Sequence, residues 1–168
     1  MARAVNRIAL LLLAGLAMGA ELVGCQQRPT AENPPATQEV VINGQRFELE
    51  LALTSQARYQ GLSDRPSIPD DGGMLFVFPN AAPRVFVMRR CHFPIDLIYL
   101  GGNGRVVAMH RMSVEEDPDA PEWRLKRYPS TWPAQFAIEL KGGTLDRLDL
   151  KPGEAIDLPL ESLKRLAR

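Results

Sequence analysis

Apolar and polar residues alternate along much of the chain with a two-residue period, which is typical of strands that bury one face. The clearest run is FELELAL, from Phe47 to Leu53. It follows Asn43-Gly44, a dipeptide that readily adopts the positive φ angles of a tight hairpin turn. This stretch therefore predicts a β-hairpin at the start of a folded domain.

Further short apolar runs are separated by glycine, proline and asparagine, and they predict more strands. These runs are MLFVF, RVFVM, IDLIYL, RVVAMHRM, AQFAIEL and KPGEAIDLPL, and GGNG joins IDLIYL to RVVAMHRM as a second hairpin. Two short helices are predicted: SQARYQGL, with Thr54 as its N-cap and Gly61 at its end, and TLDRLDL after Gly142-Gly143. We therefore expect an all-β fold with two short helices, built as a single compact β-sandwich or a partly closed, jelly-roll-like barrel.

The N-terminal residues have the three-part layout of a secretory signal: basic residues, the apolar run IALLLLAGLAMGA and the small-residue ending LVGC. The apolar run is shorter than the roughly 20 residues that a spanning helix needs. LVGC resembles the bacterial lipobox, which implies removal of a signal peptide of residues 1–24 and acylation of the Cys25 thiol. More than one acyl chain attaches a protein stably to a lipid bilayer. The residue after the acylated cysteine is Gln26 rather than aspartate. By resemblance to the sorting of Gram-negative lipoproteins, we therefore expect an outer-membrane protein facing the periplasm.

The rest of the chain divides where its composition changes. Residues 25–38 are polar and proline-rich and predict a flexible tether, residues 39–160 contain the predicted strands, and residues 161–168 predict a weakly held helical tail. The net charge of +0, with both signs mixed, argues against nucleic acid as a partner. Acylation of Cys25 would leave Cys91 without an intrachain partner, which excludes a disulfide scaffold or a zinc ribbon.

Polar residues stand between two apolar runs in VFVMRRCHFPIDLIYL. Asp96 begins a strand that should be buried, and an unpaired buried carboxylate is strongly unfavourable. In a structural role, its oxygens would accept hydrogen bonds from the turn RRCHF or from Arg65, Arg89 or Arg90. In a functional role, Asp96 and some of these arginines, with His92, would lie at the mouth of a pocket and bind a polar ligand.

Strand geometry disfavours catalytic and metal-binding arrangements of these residues. Cys91 and His92 are consecutive and point to opposite faces of an extended chain, which argues against a thiol nucleophile with its base. A two-residue turn at GGNG would place Asp96 opposite Met109 and leave His110 on the other face. The same alternation argues against a zinc site formed by Cys91, His92, Asp96 and His110. We therefore expect neither a metal nor another cofactor.

Several short motifs occur in a specific order. They are Gln60-Gly61-Leu62, Gly73-Met74-Leu75-Phe76, Met88–Asp96, Pro133-Ala134 and Ile138-Glu139-Leu140-Lys141-Gly142. This set resembles the bacterial and archaeal domain of unknown function family 192, over residues 39–158. The resemblance implies a compact β-barrel-like or jelly-roll domain and implies no activity. Asp96 and Arg65 are retained, whereas Arg90-Cys91 stands where relatives carry Asn-Thr, so a shared role cannot rest on this thiol.

The functional expectation that follows is a non-catalytic lipoprotein domain in the cell envelope. It would bind a ligand or a protein partner through the polar residues around Asp96 and the loop of residues 113–132. An alternative is a small envelope hydrolase or metal-dependent enzyme that uses Asp96 with His92 or His110. A second alternative is a structural accessory subunit of an envelope complex.

Overall fold

The computed structural model of the chain describes residues 36–117 and 119–168. The predicted signal peptide, Cys25 and the tether as far as residue 35 lie outside the described residues. Within the described part, no helix has the length and hydrophobicity that crossing a membrane requires.

Short strands dominate the described part of the chain. The strands are β1 (Thr37–Ile42), β2 (Gln45–Ala52), β3 (Gly72–Ala82), β4 (Val85–Phe86), β5 (Ile95–Leu100), β6 (Val106–Met112), β7 (Tyr128–Pro129) and β8 (Ala134–Lys141). The α-helices are α1 (Ser55–Gln60), α2 (Thr144–Leu148) and α3 (Leu160–Leu166), and a 3-10 turn covers Glu122–Arg124. The predicted β-rich fold is confirmed, with three short α-helices in the described part where two were expected.

Six of the strands form one mixed sheet in the order β1-β2-β3-β8-β5-β6. β2 and β3 run parallel and are connected through α1, while the other neighbours in this sheet are antiparallel. β4 and β7 pair separately as a short ribbon. The sheet is open, because β1 and β6 end the strand order and do not pair with each other.

Both faces of this sheet are covered, and each has its own hydrophobic cluster. On one face, which we call the α2 face, Leu75 and Ile138 cluster with buried residues of α2 and α3. On the opposite face, which we call the α1 face, Phe76 and Leu97 cluster with Leu62, just after α1. Because neighbouring residues of a strand point to opposite faces, the position of a residue in its strand decides which cluster it joins.

The local turn and cap signals are confirmed. Asn43 and Gly44, which join β1 to β2, have φ angles of 46° and 82°. The Thr54 side chain accepts a hydrogen bond from the Ala57 backbone N–H at 3.1 Å, which caps α1. Gly61 ends this helix with a φ of 51°, in the region that only glycine adopts readily.

Three expectations for the strands and the tail are wrong. RVFVM forms only the two-residue β4, which pairs with the equally short β7. KPGEAIDLPL forms no strand beyond one isolated bridge from Ala155 to Arg105, since its two prolines and the left-handed Gly153 interrupt extended pairing. The tail is firmly packed, because Leu163 of α3 is 1% exposed in the α2-face cluster.

Candidate functional site

The Asp96 side chain is buried beneath α2 and hydrogen-bonds to the backbone of this helix. It is 1% exposed, and its Oδ2 accepts a hydrogen bond from the Leu145 backbone N–H, in the first turn of α2, at 2.7 Å. Burial raises the pKa of this carboxyl, while the N–H groups of Leu145 and Gly143 act in the opposite direction. We expected hydrogen bonds to Asp96 from the RRCHF turn or from Arg65, Arg89 or Arg90, and this expectation is wrong. Asp96 faces α2, whereas Cys91 of that turn packs in the α1-face cluster on the opposite side of the sheet.

The register of the β5–β6 hairpin keeps Asp96 apart from His110. Asp96 lies opposite Arg111, and His110 lies opposite Leu97, so Asp96 and His110 point to different faces. The expected pairing with Met109 is wrong, because the connection spans more than two residues and the register shifts near the end of β5. Asp96 and His110 nevertheless lie on opposite faces of the sheet, as the expected pairing also implied.

The two histidines do not converge on one site. His92 is exposed, while the His110 Nε2–H donates to the carbonyl of Pro129 at 2.7 Å and its ring packs against Tyr99 and Tyr128. Across residues 36–117 and 119–168, no group of three or more histidine, cysteine or acidic side chains is placed to hold a metal ion. The pairing of Asp96 with His110 that one form of the enzyme alternative needs is therefore not present.

Arg65 and Arg90 pair with other acidic side chains. Arg65 forms a bidentate ion pair with Glu50 of β2 at 2.5 and 2.6 Å. Arg90 holds Asp64 through two hydrogen bonds of 2.7 Å, and this lowers the pKa of the Asp64 carboxyl to about 2. Both arginines thus fasten the loop after α1 to its neighbours.

A buried glutamate that the sequence analysis did not single out lies at the centre of the α1 face. Glu139 of β8 is opposite Met74 of β3 on one side and Leu97 of β5 on the other, so all three side chains point to the same face. It is 4% exposed, and its Oε2 has no hydrogen-bond partner among the residues that the structure describes. Leaving a buried carboxyl oxygen without a partner costs on the order of 1–3 kcal/mol, so such a group in a native protein needs an explanation.

The Glu139 carboxylate borders a cavity of about 400 Å³ between α1, β4 and the sheet. This size is within the range of small-molecule sites. Aromatic rings make up part of its wall, and charged side chains make up another part. Its lining includes Tyr59, Phe76, Phe78, Phe86, Arg89 and Cys91 together with Glu139.

Two glycines lie close to the Glu139 segment. A Cβ at Gly73 would lie 2.4 Å from the Glu139 carbonyl oxygen, so only glycine lets β3 pack this closely at that point of β8. A Cβ at Gly61 would lie 3.8 Å from Glu139 Oε2 and 3.4 Å from Cζ of Phe76. Both distances are ordinary van der Waals contacts, so Gly61 is favoured here by its positive φ and not by the space around Glu139.

The cavity shifts the protonation equilibria of two of its groups. Burial raises the pKa of Glu139 to about 8, and the charge of Arg65 opposes this only in part. At neutral pH the carboxyl is therefore mostly protonated. Burial, and then the charge of Glu139, raises the pKa of the Cys91 thiol to about 12, so this thiol stays protonated as well.

Arg89 is the one predicted binding residue that lines the cavity; Asp96, Arg65, Arg90 and His92 do not. Its guanidinium lies over the ring of Tyr59, 3.6 Å from the centroid, and donates to the Tyr59 carbonyl oxygen. It also lies 3.6 Å from the Glu122 carboxylate, yet its Nε is buried without a hydrogen-bond partner.

The family model DUF192, described as Uncharacterized ACR, matches residues 38–158. Two crystal structures have the same fold with a TM-score of 0.64. One is a candidate transcription regulator from Sinorhizobium meliloti 1021, which is 26% identical. Its alignment covers 75% of this chain and 96% of that protein's chain. The other is a protein of unknown function from Novosphingobium aromaticivorans DSM 12444, which is 27% identical and covers 86% of this chain and 100% of its own.

No curated protein matches the chain. The family match extends over most of the residues that the structure describes, from β1 to the segment before α3. It includes Glu139 and the two glycines, Gly61 and Gly73, that lie next to it. This chain belongs to the DUF192 family.

Proposed function

We propose that the protein is a non-catalytic envelope lipoprotein whose domain binds a small polar ligand in the Glu139 cavity. The observation that carries this proposal is the buried Glu139 Oε2, which has no partner and borders a cavity of about 400 Å³. A bound molecule that pairs with this oxygen would offset the cost of its burial. Aromatic walls combined with convergent polar groups are typical of pockets that orient small molecules.

The chemistry of the cavity favours binding over covalent catalysis. A nucleophilic cysteine needs a thiolate and a nearby base. The pKa of Cys91 is raised to about 12, and its Sγ–H is directed toward the carbonyl oxygen of Arg89 at 3.6 Å. A thiol held in its protonated form packs as a small apolar group.

The envelope placement in this proposal rests on the N-terminal pattern. A basic start, a short apolar run and LVGC ending at Cys25 are the features that support acylation and attachment to a bilayer. The polar, proline-rich residues that follow would serve as the tether.

Ligand binding is expected to depend on the Glu139 carboxyl. We expect saturation-transfer NMR of the detergent-purified full chain to detect binding from a panel of monosaccharides, polyols, amines, carboxylic acids and amino acids. Glu139→Gln keeps the side-chain volume but removes the acid, so it should weaken binding at least about tenfold, the factor equivalent to about 1.4 kcal/mol.

Asp96→Asn is the matched control, because this buried acid lies on the α2 face, away from the cavity. It should leave binding unchanged. The proposal fails if no compound of the panel binds. It also fails if Glu139→Gln binds these compounds with the same affinity as the wild type.

The anchor is expected to require Cys25 and not Cys91. In a Gram-negative host fed an alkyne-labelled palmitate, the wild-type chain should carry the label and sediment with membranes. Cys25→Ser should lose the label, whereas Cys91→Ser, the change at the chain's only other cysteine, should keep both the label and the membrane association. A labelled Cys25→Ser variant, or an unlabelled wild-type chain, would contradict acylation at this residue.

A further inference from the structure

Two unpartnered polar atoms of opposite character line the same cavity. Glu139 Oε2 belongs to an acid, and Arg89 Nε carries an N–H that can only donate. Both side chains act on the same thiol, since the charge of Glu139 raises the pKa of Cys91 and that of Arg89 lowers it, beside the larger effect of burial. Once Glu139 is ionised, its oxygens can only accept, so a ligand that satisfies both atoms needs a donor at one end and an acceptor at the other.

The side of the cavity next to Phe78 is positively charged. Arg58 and Arg84 both lie over the Phe78 ring, at 5.5 and 4.1 Å from its centroid. Arg84 hydrogen-bonds only to uncharged oxygens, those of Asn80 and Ala134. Among the described side chains, no aspartate or glutamate forms an ion pair with either arginine.

This charge excess suits an anionic group. Burial, and then the charge of Arg58, lowers the pKa of the Arg84 guanidinium, so the two cations repel each other across the ring. A carboxylate bound beside them would reduce this repulsion and accept charge-assisted hydrogen bonds. A simple cation would pair with Glu139 but would be repelled by Arg58 and Arg84, whereas the charge of Arg89 is partly offset by Glu122.

We propose that the ligand is a free amino acid or a similarly small zwitterion. Its ammonium pairs with Glu139, its carboxylate with Arg89 and the arginines beside Phe78, and its apolar part contacts the aromatic wall. The inference rests on the proposed function and specifies the chemical class of the ligand at that site. The cavity of about 400 Å³ has room for a molecule of this size.

The buried carboxyl gives this binding a measurable proton signature. Glu139 is mostly protonated at pH 7 because burial raises its pKa to about 8. Pairing with an ammonium favours the ionised form, so ligand binding should release close to one proton. The heat of binding should therefore differ between phosphate and Tris buffers, which take up protons with different enthalpies.

The test is calorimetric titration of the purified full chain with free L-amino acids, one at a time, in both buffers. The tightest binder is then compared with its N-acetyl derivative, which lacks the ammonium, and its amide, which lacks the carboxylate. Each derivative should bind at least about tenfold more weakly than the parent. Glu139→Gln should weaken the parent equally and remove the buffer dependence, whereas Glu48→Gln, outside this cavity, should change neither.

The outcomes separate this inference from the proposed function. If no free amino acid binds while another compound of the wider panel binds through Glu139, the zwitterion assignment fails and the proposed function stands. The assignment also fails if either derivative binds as tightly as the parent. If Glu139→Gln leaves amino-acid binding unchanged, both proposals fail.

Discussion

A Glu139→Gln variant is expected to be more stable than the wild type at pH 8, by about 3 to 4 kcal/mol in the free energy of unfolding. The difference should shrink as the pH falls and nearly disappear near pH 4. The reason is that burial raises the pKa of this carboxyl from 4.5 to about 8 in the folded protein. Glutamine has a similar volume and no proton to lose.

The direction of this pH dependence follows from the protons bound by each state. Below pH 4.5 the folded and unfolded states both hold the Glu139 proton, so its contribution to stability is fully present. Between pH 4.5 and about 8 only the folded state holds it, and the free energy of unfolding falls by up to about 1.4 kcal/mol per pH unit. Above that range both states are ionised, the contribution is lost, and the curve levels off.

Urea denaturation of both proteins between pH 4 and 9 would measure this difference. Other titrating groups are common to both chains and largely cancel; the neighbouring thiol of Cys91, with a pKa of about 12, titrates outside the window. Glu48→Gln, at an exposed glutamate of β2, is the control and should follow the wild type at every pH. Parallel stability curves for wild type and Glu139→Gln would show that the carboxyl is not buried as described.

The fold was predictable where the signals are local. The Asn43-Gly44 turn, the Thr54 cap and the alternating residues of β2 each specify structure within a few residues of chain. The open shape of the sheet, by contrast, depends on which strands pair across long separations. The packing of α3 was missed because its contact with the core depends on Leu163 reaching strands more than eighty residues earlier in the chain.

The candidate site was less predictable, because burial of a strand face depends on what covers it. AQFAIEL alternates in a way that allows Glu139 to face solvent, and the α1 side that covers it comes from distant residues such as Gly61 and Arg89. The only sequence signal was the glutamate itself, within the motif Ile138-Glu139-Leu140. For Asp96 the need for donors was foreseen, but the donor is the N–H of Leu145, 49 residues away.

Asp96→Ala is expected to lower the free energy of unfolding by about 2 to 3 kcal/mol, because it leaves buried backbone N–H groups at the start of α2 without an acceptor. The Leu145 N–H, bound at 2.7 Å, is the main one. Asp96→Asn retains an oxygen that can accept this hydrogen bond and should cost clearly less. Urea denaturation near pH 7 would measure both changes.

Asp64→Asn is a control for the Asp96 variants, because asparagine tolerates the positive φ of 66° at this position. Asp64 accepts side-chain hydrogen bonds from Arg90 and Gln60, but it is exposed and pairs with an exposed arginine, so this change should cost clearly less than Asp96→Ala. The Asp96 variants should bind ligand as the wild type does, once measured well below their unfolding midpoints. If instead Asp96→Ala retains wild-type stability and loses ligand binding, the carboxylate is part of the binding site and its role beneath α2 is refuted.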